Sequence, residues 1–145
     1  MVDQIKNLGI VDVYDYVTSH NKSVRSYHST YHLKSVCMMS IRGCEHFGLS
    51  IPYTSLIASA SLFHDFNHIG AKNDNGNIVE SIKGFLEFQN EYNRFEIEEE
   101  SIIISLVRST RYPYLSECNS LSLGEKIIRD SDVLQSIFCD DYMNT

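Results

Sequence analysis

The segment from Tyr53 to Phe63 constrains the fold most, because it is apolar almost all the way round a helix and contains no Lys or Arg. Its large and small apolar residues are Leu56, Ile57, Ala60, Leu62 and Phe63. A helix that is apolar on every side is buried in the middle of a protein, with other elements packed around it. The segment therefore predicts a central buried helix that runs from Tyr53 to about His64.

Helical periodicity also dominates the rest of the chain. The other predicted helices are Ile10 to about Ser19, near Tyr27 to about Phe47, one capped by Asn77, Glu96 to Ser109, and about Leu123 to Phe138. Gly48 is placed to end the second of them, and the polar residues of 70–76 predict a loop. No convincing alternating strand pattern occurs. We predict an all-α fold, a single-domain helical bundle of about six helices over residues 1–145.

The composition limits the classes of function that are open to the chain. Of its 145 residues, 43% are apolar and 21% are charged, and the formal net charge is −7. Duplex nucleic acid is bound through Lys and Arg that neutralise phosphates, so an acidic chain argues against that partner. No apolar run approaches the roughly 18 residues of a membrane helix, and the N-terminus resembles no cleavable leader. We expect a cytoplasmic protein that binds neither duplex nucleic acid nor a membrane.

Histidines carry the strongest functional signal. All six lie within the first 68 residues, and four of them form two pairs with helical spacing. His28 and His32 are four residues apart, as are His64 and His68, so each pair is predicted to share one face of a helix. Asp65 directly follows His64. Imidazole and carboxylate together suit a divalent ion such as Mn²⁺, Fe²⁺, Ni²⁺ or Zn²⁺.

The position of Asp65 gives a second reason to predict a metal. It directly follows the apolar helix and its histidine, and the next basic residue is Lys72. A buried carboxylate without a partner cation costs several kcal/mol. A metal ion is the simplest partner for this carboxylate.

With these residues in view, the sequence resembles the HD-domain phosphohydrolases, a helical family named for its His…His-Asp…Asp metal site. The resemblance covers nearly the whole chain, from about residue 27 to residue 137. The metal ligands that it implies are His32, His64, Asp65 and Asp132. The cofactor would then be a divalent ion of Mn, Fe, Ni, Co, Zn or Mg, with one or two ions per chain.

The last ligand is open between two aspartates. If Ile127, Leu134 and Phe138 face the core, Asp130 lies nearer to that face of the helix than Asp132 does. The resemblance favours Asp132, because the aspartate of the family follows a small residue and precedes an apolar one. Asp132 is therefore the prediction and Asp130 the alternative.

Two segments are similar to segments of the cyclic-nucleotide phosphodiesterases. Residues 27–32 resemble their YHNxxH segment, and residues 64–70 resemble the start of their HDxxHxGxxN segment. The similarity implies that His28 is the general acid that protonates the leaving oxygen and that His68 orients water or a ligand. Ser29 stands where that family has Asn, and the helices of its purine clamp are missing, so the similarity does not extend to cyclic-nucleotide specificity.

The activity that the resemblance implies is hydrolysis of a phosphate ester in a nucleotide or a nucleotide-derived signal. Water activated by the ion would be the nucleophile, and the second oxygen of Asp65 can bridge to another ion. Candidates for binding a non-reacting phosphate of this small substrate are Lys72, Arg108 and Arg111. The alternatives are a dNMP or nucleoside triphosphate phosphohydrolase, and a nucleotide-binding module without turnover. A homodimer is possible.

Overall fold

The computed structural model describes residues 1–23, 29–70, 74–111 and 121–138, with side chains up to Gln135. Within these ranges the chain forms seven α-helices and no strand, which confirms the all-α prediction with one helix more than expected. In chain order they are α1 (Val2–Leu8), α2 (Val11–His20), α3 (Thr30–His46), α4 (Ile51–Phe63), α5 (Asp74–Tyr92), α6 (Ile97–Ser109) and α7 (Leu123–Phe138). None of the seven is both long and apolar enough to cross a membrane.

Helix α4 lies at the centre of the fold, as its all-round apolar sequence predicts. It contacts each of the other six helices. Its residues from Leu56 to Phe63 are all buried, and Ser50 caps its first turn by accepting a hydrogen bond from the Tyr53 backbone N–H at 3.3 Å. The residues that directly follow α4 therefore lie in the interior of the helical bundle.

The helical pairing predicted for His64 and His68 is wrong, because α4 ends at Phe63. His64 has extended backbone angles (φ −61°, ψ 142°), and Asp65 and Asn67 both have a left-handed φ of 56°. Most residue types rarely adopt such a φ, but Asp and Asn tolerate it. The chain therefore makes a tight turn at the doublet instead of continuing as a helix.

The predicted loop at 70–76 is also wrong at its C-terminal end, because α5 already begins at Asp74. Asn77, predicted as the cap of this helix, lies inside it and is buried. Its Oδ1 accepts from the Ile69 backbone N–H at 3.1 Å, and its Nδ2 donates to Asp74 Oδ1 at 3.2 Å. Asn77 thus ties the turn after α4 to the first turn of α5.

The remaining helix bounds differ little from those predicted. Helices α2, α6 and α7 begin and end within one residue of the expected positions, whereas α3 begins at Thr30 rather than near Tyr27. Glu96 precedes α6 as its N-cap, and its backbone N–H donates to Glu99 at 2.9 Å. Helix α1 was not predicted, since only Ile5 of its seven residues is buried and it shows no periodicity.

Candidate metal centre

Four predicted ligands from three parts of the fold converge beside the end of α4. His32 lies in the first turn of α3, His64 and Asp65 directly follow α4, and Asp132 lies on α7. Helices α3 and α7 pack against each other and against α4, so their side chains meet at the turn after Phe63. Each of the four ligands offers one nitrogen or oxygen atom, and all four atoms lie within 4.8 Å of one another.

The distances at the centre are short between every imidazole and carboxylate. Nε2 of His32 lies 3.1 Å from Asp132 Oδ1 and 3.4 Å from Asp65 Oδ2. Nε2 of His64 lies 3.2 Å from Asp132 Oδ1 and 3.6 Å from Asp65 Oδ2. Both histidines therefore direct the same ring atom at the same pair of carboxylates.

The opposite ring nitrogens are held by oxygen acceptors. Nδ1 of His32 donates to Oε1 of Gln135 at 2.5 Å, and Nδ1 of His64 donates to the carbonyl oxygen of Ser61 at 2.6 Å. A neutral imidazole whose Nδ1 carries the proton has its lone pair on Nε2. This arrangement is typical of histidines that bind a metal, since the outer hydrogen bond fixes both the tautomer and the ring orientation.

The donor set fits a divalent ion in size and in charge. Two ligands at about 2.1 Å from one ion, with angles between octahedral and tetrahedral values, are about 3.0 to 3.4 Å apart. The imidazole–carboxylate distances of 3.1 to 3.6 Å match that range with little adjustment. Two neutral imidazoles and two carboxylates carry two negative charges, which one divalent ion balances.

The same carboxylates set the protonation of the histidines when no metal competes. Burial lowers the pKa of His32, but its hydrogen bonds to Asp132 and Asp65 outweigh burial and raise that pKa to about 10. Burial likewise lowers the pKa of His64, but the charges of the two carboxylates raise it overall. Burial raises the pKa of Asp132, but the charge of His64 and the hydrogen bonds from both rings lower it overall. The carboxylates therefore stabilise positive charge at this point, carried either by two protons or by a divalent ion.

The structure brings Asp132 rather than Asp130 to the centre. Asp130 is exposed, and Leu134, which was expected to face the core, is 40% exposed. The buried face of α7 instead includes Ile127, Ser131 and Gln135, and Asp132 lies at the edge of this face. Because Leu134 was assumed to be a core residue, the buried face of α7 was predicted part of a turn away from where it lies.

A second group of possible ligands shares Asp65 with the first. His68 and Asp74 each offer an atom within 4.8 Å of the Asp65 carboxylate and of each other. However, Nδ1 of His68 accepts a hydrogen bond from the Gly70 backbone N–H at 3.1 Å, which leaves the proton of a neutral ring on Nε2. His68 is thus better suited to donate a hydrogen bond beside Asp65 than to bind an ion.

A pair of asparagines holds the turn that carries Asp65. The Asn67 backbone N–H donates to Asn21 Oδ1 at 3.0 Å, and the Lys22 backbone N–H donates to Asn67 Oδ1 at 2.7 Å. Nδ2 of Asn21 also donates to Thr30 Oγ1 at 3.3 Å, at the start of α3. Asn21 therefore links the turn of Asp65 to the helix that carries His32.

Of the other predicted site residues, the structure describes Arg108 and Arg111. His28, the predicted general acid, and Lys72 lie outside the described residues. Arg108 and Arg111 lie at the end of α6 and just beyond it, where they line a cleft between α5, α6 and α7. The described lining of this cleft does not include the four candidate metal ligands.

Sequence reasoning missed two residues of the centre, Gln135 and Asp74. Gln135 lies three residues after Asp132, so helical spacing places both on one side of α7, and this signal was available. Asp74 gave no such signal, because the run of polar residues around it is typical of a loop and defines no helix face.

Fold and site together define a helical protein with a buried His/Asp cluster that can hold a divalent ion. Comparison with protein-family models, with curated proteins and with solved structures finds no match to this chain.

Proposed function

We propose that the chain is a metal-dependent phosphohydrolase of the HD type that cleaves a phosphate ester of a nucleotide or a nucleotide-derived signal. The observation that supports this most is the orientation of His32 and His64. Each ring has its Nδ1 bonded to an oxygen and its Nε2 directed at Asp65 and Asp132. The seven-helix fold with α4 at its centre is compatible with an HD-type domain.

The exposure of the four ligands suggests the side from which a substrate approaches. The side chains of His32 and His64 are 2% and 0% exposed, whereas those of Asp65 and Asp132 are 12% and 20% exposed. The imidazoles thus close the inner side of the site and exclude water there, while the carboxylates border the solvent. A divalent ion bound here supplies a Lewis acid and a water of lowered pKa, which is the chemistry that phosphate ester hydrolysis needs.

His68 has a place in this proposal as a hydrogen-bond donor. His68 lies beside Asp65, and because its Nδ1 accepts from the Gly70 N–H, a neutral ring carries its proton on Nε2, which suits a donor to a water or a phosphate oxygen. The role of His28 as the general acid stays a prediction from the resemblance.

Hydrolysis of two chromogenic esters tests the proposal. Purified protein is assayed with p-nitrophenyl phosphate and bis-p-nitrophenyl phosphate in the presence of Mn²⁺, Ni²⁺, Co²⁺ or Mg²⁺. Asp65→Asn is the test variant, because Asn also tolerates a left-handed φ and so keeps the turn. Asp130→Asn is the matched control, since Asp130 is exposed and lies on α7 away from the cluster.

We expect metal-dependent release of nitrophenol by the wild type and by Asp130→Asn, with a loss of about 100-fold or more in Asp65→Asn. The ester that is preferred separates a diesterase from a monoesterase. Bound metal without turnover of either ester or of a nucleotide panel would contradict the proposal and favour a nucleotide-binding module.

A further inference from the structure

A cleft of about 760 Å³ opens between α5, α6 and α7, beside the His/Asp cluster but separate from it. This volume is within the range of about 300 to 1,000 Å³ that is usual for small-molecule sites. Each helix contributes residues that are three or four positions apart, so the cleft is lined by one face of each helix.

One wall of the cleft is apolar. Ile78, Val79 and Ile82 of α5 and Ile104 of α6 line it. Val79 is 62% exposed, so part of this wall faces solvent. An apolar wall of this kind suits the flat face of a ring system better than a bare inorganic anion.

The polar part of the lining includes three arginines, namely Arg108, Arg111 and Arg129. Nε of Arg111 donates to Asn75 Oδ1, and Nε of Arg129 donates to the Ser109 carbonyl oxygen at 2.7 Å. These bonds hold two of the guanidinium groups in fixed positions. Nη1 of Arg111 is buried and has no hydrogen-bond acceptor within the part of the chain that the structure describes.

The described lining of the cleft carries more positive than negative charge. Glu125 is the one carboxylate among the described lining residues, and its Oε1 accepts from the hydroxyl of Ser122 at 2.9 Å at the start of α7. Neither Arg108 nor Arg111 forms an ion pair with any described residue. A chain with 19 acidic and 12 basic residues thus gathers three guanidinium groups around one opening. Guanidinium groups placed in this way are typical of a site for a phosphate, which they bind through paired N–H donors.

The cleft and the His/Asp cluster are neighbours in the fold. Arg129 lies three residues before Asp132 on α7, so the two are about 5 Å apart along the helix axis. Asn75 of the cleft directly follows Asp74, whose carboxylate lies within 4.8 Å of the Asp65 ligand atom. The two sites therefore adjoin each other along α7 and at the start of α5.

We propose that the arginine cleft binds a second phosphoryl group of the substrate. The substrate is then a nucleotide with two phosphates, one of which forms the scissile ester while the other is attached elsewhere on the molecule. Its ring system lies on the apolar wall, and the second phosphate lies between Arg108, Arg111 and Arg129. The assignment of the first phosphate to the His/Asp cluster rests on the proposed function. The arginine cleft itself does not depend on a bound metal.

Two measurements test this inference separately from hydrolysis. The first is calorimetric titration of adenosine 3′,5′-bisphosphate into the protein with a chelator present, so that no turnover takes place. The variants are Arg111→Met and Arg108→Met, and Arg42→Met on the exposed face of α3 is the matched control. Arg108 is exposed and has no described bond to lose, so its variant is expected to fold. The second is the ratio of kcat/KM for the bisphosphate to that for adenosine 5′-monophosphate with Mn²⁺ present.

We expect both cleft variants to weaken bisphosphate binding by about tenfold or more, and Arg42→Met to stay within about twofold of the wild type. We also expect a kcat/KM ratio of about ten or more in the wild type, reduced in Arg111→Met. Binding that is unchanged in both cleft variants, or a ratio near one, overturns the inference even if simple esters are hydrolysed. If bisphosphate binding depends on the arginines but the bisphosphate is not hydrolysed, the result supports the phosphate site and contradicts the proposed function.

Discussion

Nδ1 of His32 lies 2.5 Å from Oε1 of Gln135, which is one turn beyond Asp132 on α7. One helix thus provides a candidate metal ligand and also orients a second ligand that belongs to another helix. Because Gln135 is 5% exposed, its hydrogen bond to the ring is shielded from water. The packing of α3 against α7 therefore controls where Nε2 of His32 is directed.

Gln135→Leu is expected to lower the affinity for a divalent ion by about 10- to 100-fold, which is usual when an outer hydrogen bond to a metal-binding histidine is lost. The change also leaves the buried Nδ1–H of His32 without its acceptor, which costs about 1 to 3 kcal/mol of stability. Calorimetric titration with Mn²⁺ or Zn²⁺ measures the first effect, and urea denaturation the second.

Gln135→Glu is the matched control, because its side chain keeps an oxygen acceptor at the same distance from the backbone. We expect it to retain metal binding to within about tenfold of the wild type. Equal affinity in the Leu variant and the wild type would show that Gln135 does not orient His32.

The metal-free protein is expected to lose stability as the pH rises above neutrality. Folding raises the pKa of His32 to about 10 from an ordinary value of 6.5, and it raises the pKa of His64 as well. The stabilisation from these protonated rings is complete below about pH 6.5 and is lost as the pH rises towards 10. Asp132, whose pKa is lowered, contributes in the opposite sense, and its stabilisation is lost in acid. Urea denaturation from pH 4 to pH 9, at about 0.5-unit steps with a chelator present, measures this profile.

A saturating divalent ion is expected to remove the alkaline part of this loss. The ion binds the deprotonated imidazoles, so its affinity rises as the pH increases. The difference in stability between metal-loaded and chelated protein should therefore be larger at pH 8 than at pH 6. A difference that is independent of pH would mean that the histidines do not bind the ion.

Asn21→Ala is expected to loosen the turn that carries Asp65. Asn21 accepts from the Asn67 N–H and donates to Thr30, so its loss breaks the link between this turn and α3. We expect a loss of about 1 to 2 kcal/mol in the free energy of unfolding, together with weaker metal binding. Urea denaturation and metal titration measure the two effects.

Asn90→Ala provides the comparison, since Asn90 is exposed on α5 and forms no described hydrogen bond. Its stability should stay within about 0.5 kcal/mol of the wild type. If the two alanine variants behave alike, the asparagine pair does not support the metal centre.

The sequence was sufficient for the central helix and for the group of candidate ligands. The all-round apolar pattern of 53–63 could be satisfied only by burial, and it led directly to α4. The turn after α4 could not be predicted, because the left-handed φ of Asp65 depends on tertiary contacts such as the bond between Asn67 and Asn21. The face of α7 was misjudged for a related reason, since Leu134 is apolar but exposed and Gln135 is polar but buried. In both places a long-range hydrogen bond stabilises an arrangement that periodicity does not predict.

Metal content is the most direct test of the candidate metal centre. Wild type, Asp132→Asn and Asp130→Asn are purified without chelator, loaded with Mn²⁺ or Zn²⁺, desalted and analysed for metal by mass spectrometry. We predict about one ion or more per chain in the wild type and in Asp130→Asn, and about tenfold less in Asp132→Asn. Metal-free wild type, or equal metal in the two aspartate variants, would contradict the assignment of His32, His64, Asp65 and Asp132 as a metal centre.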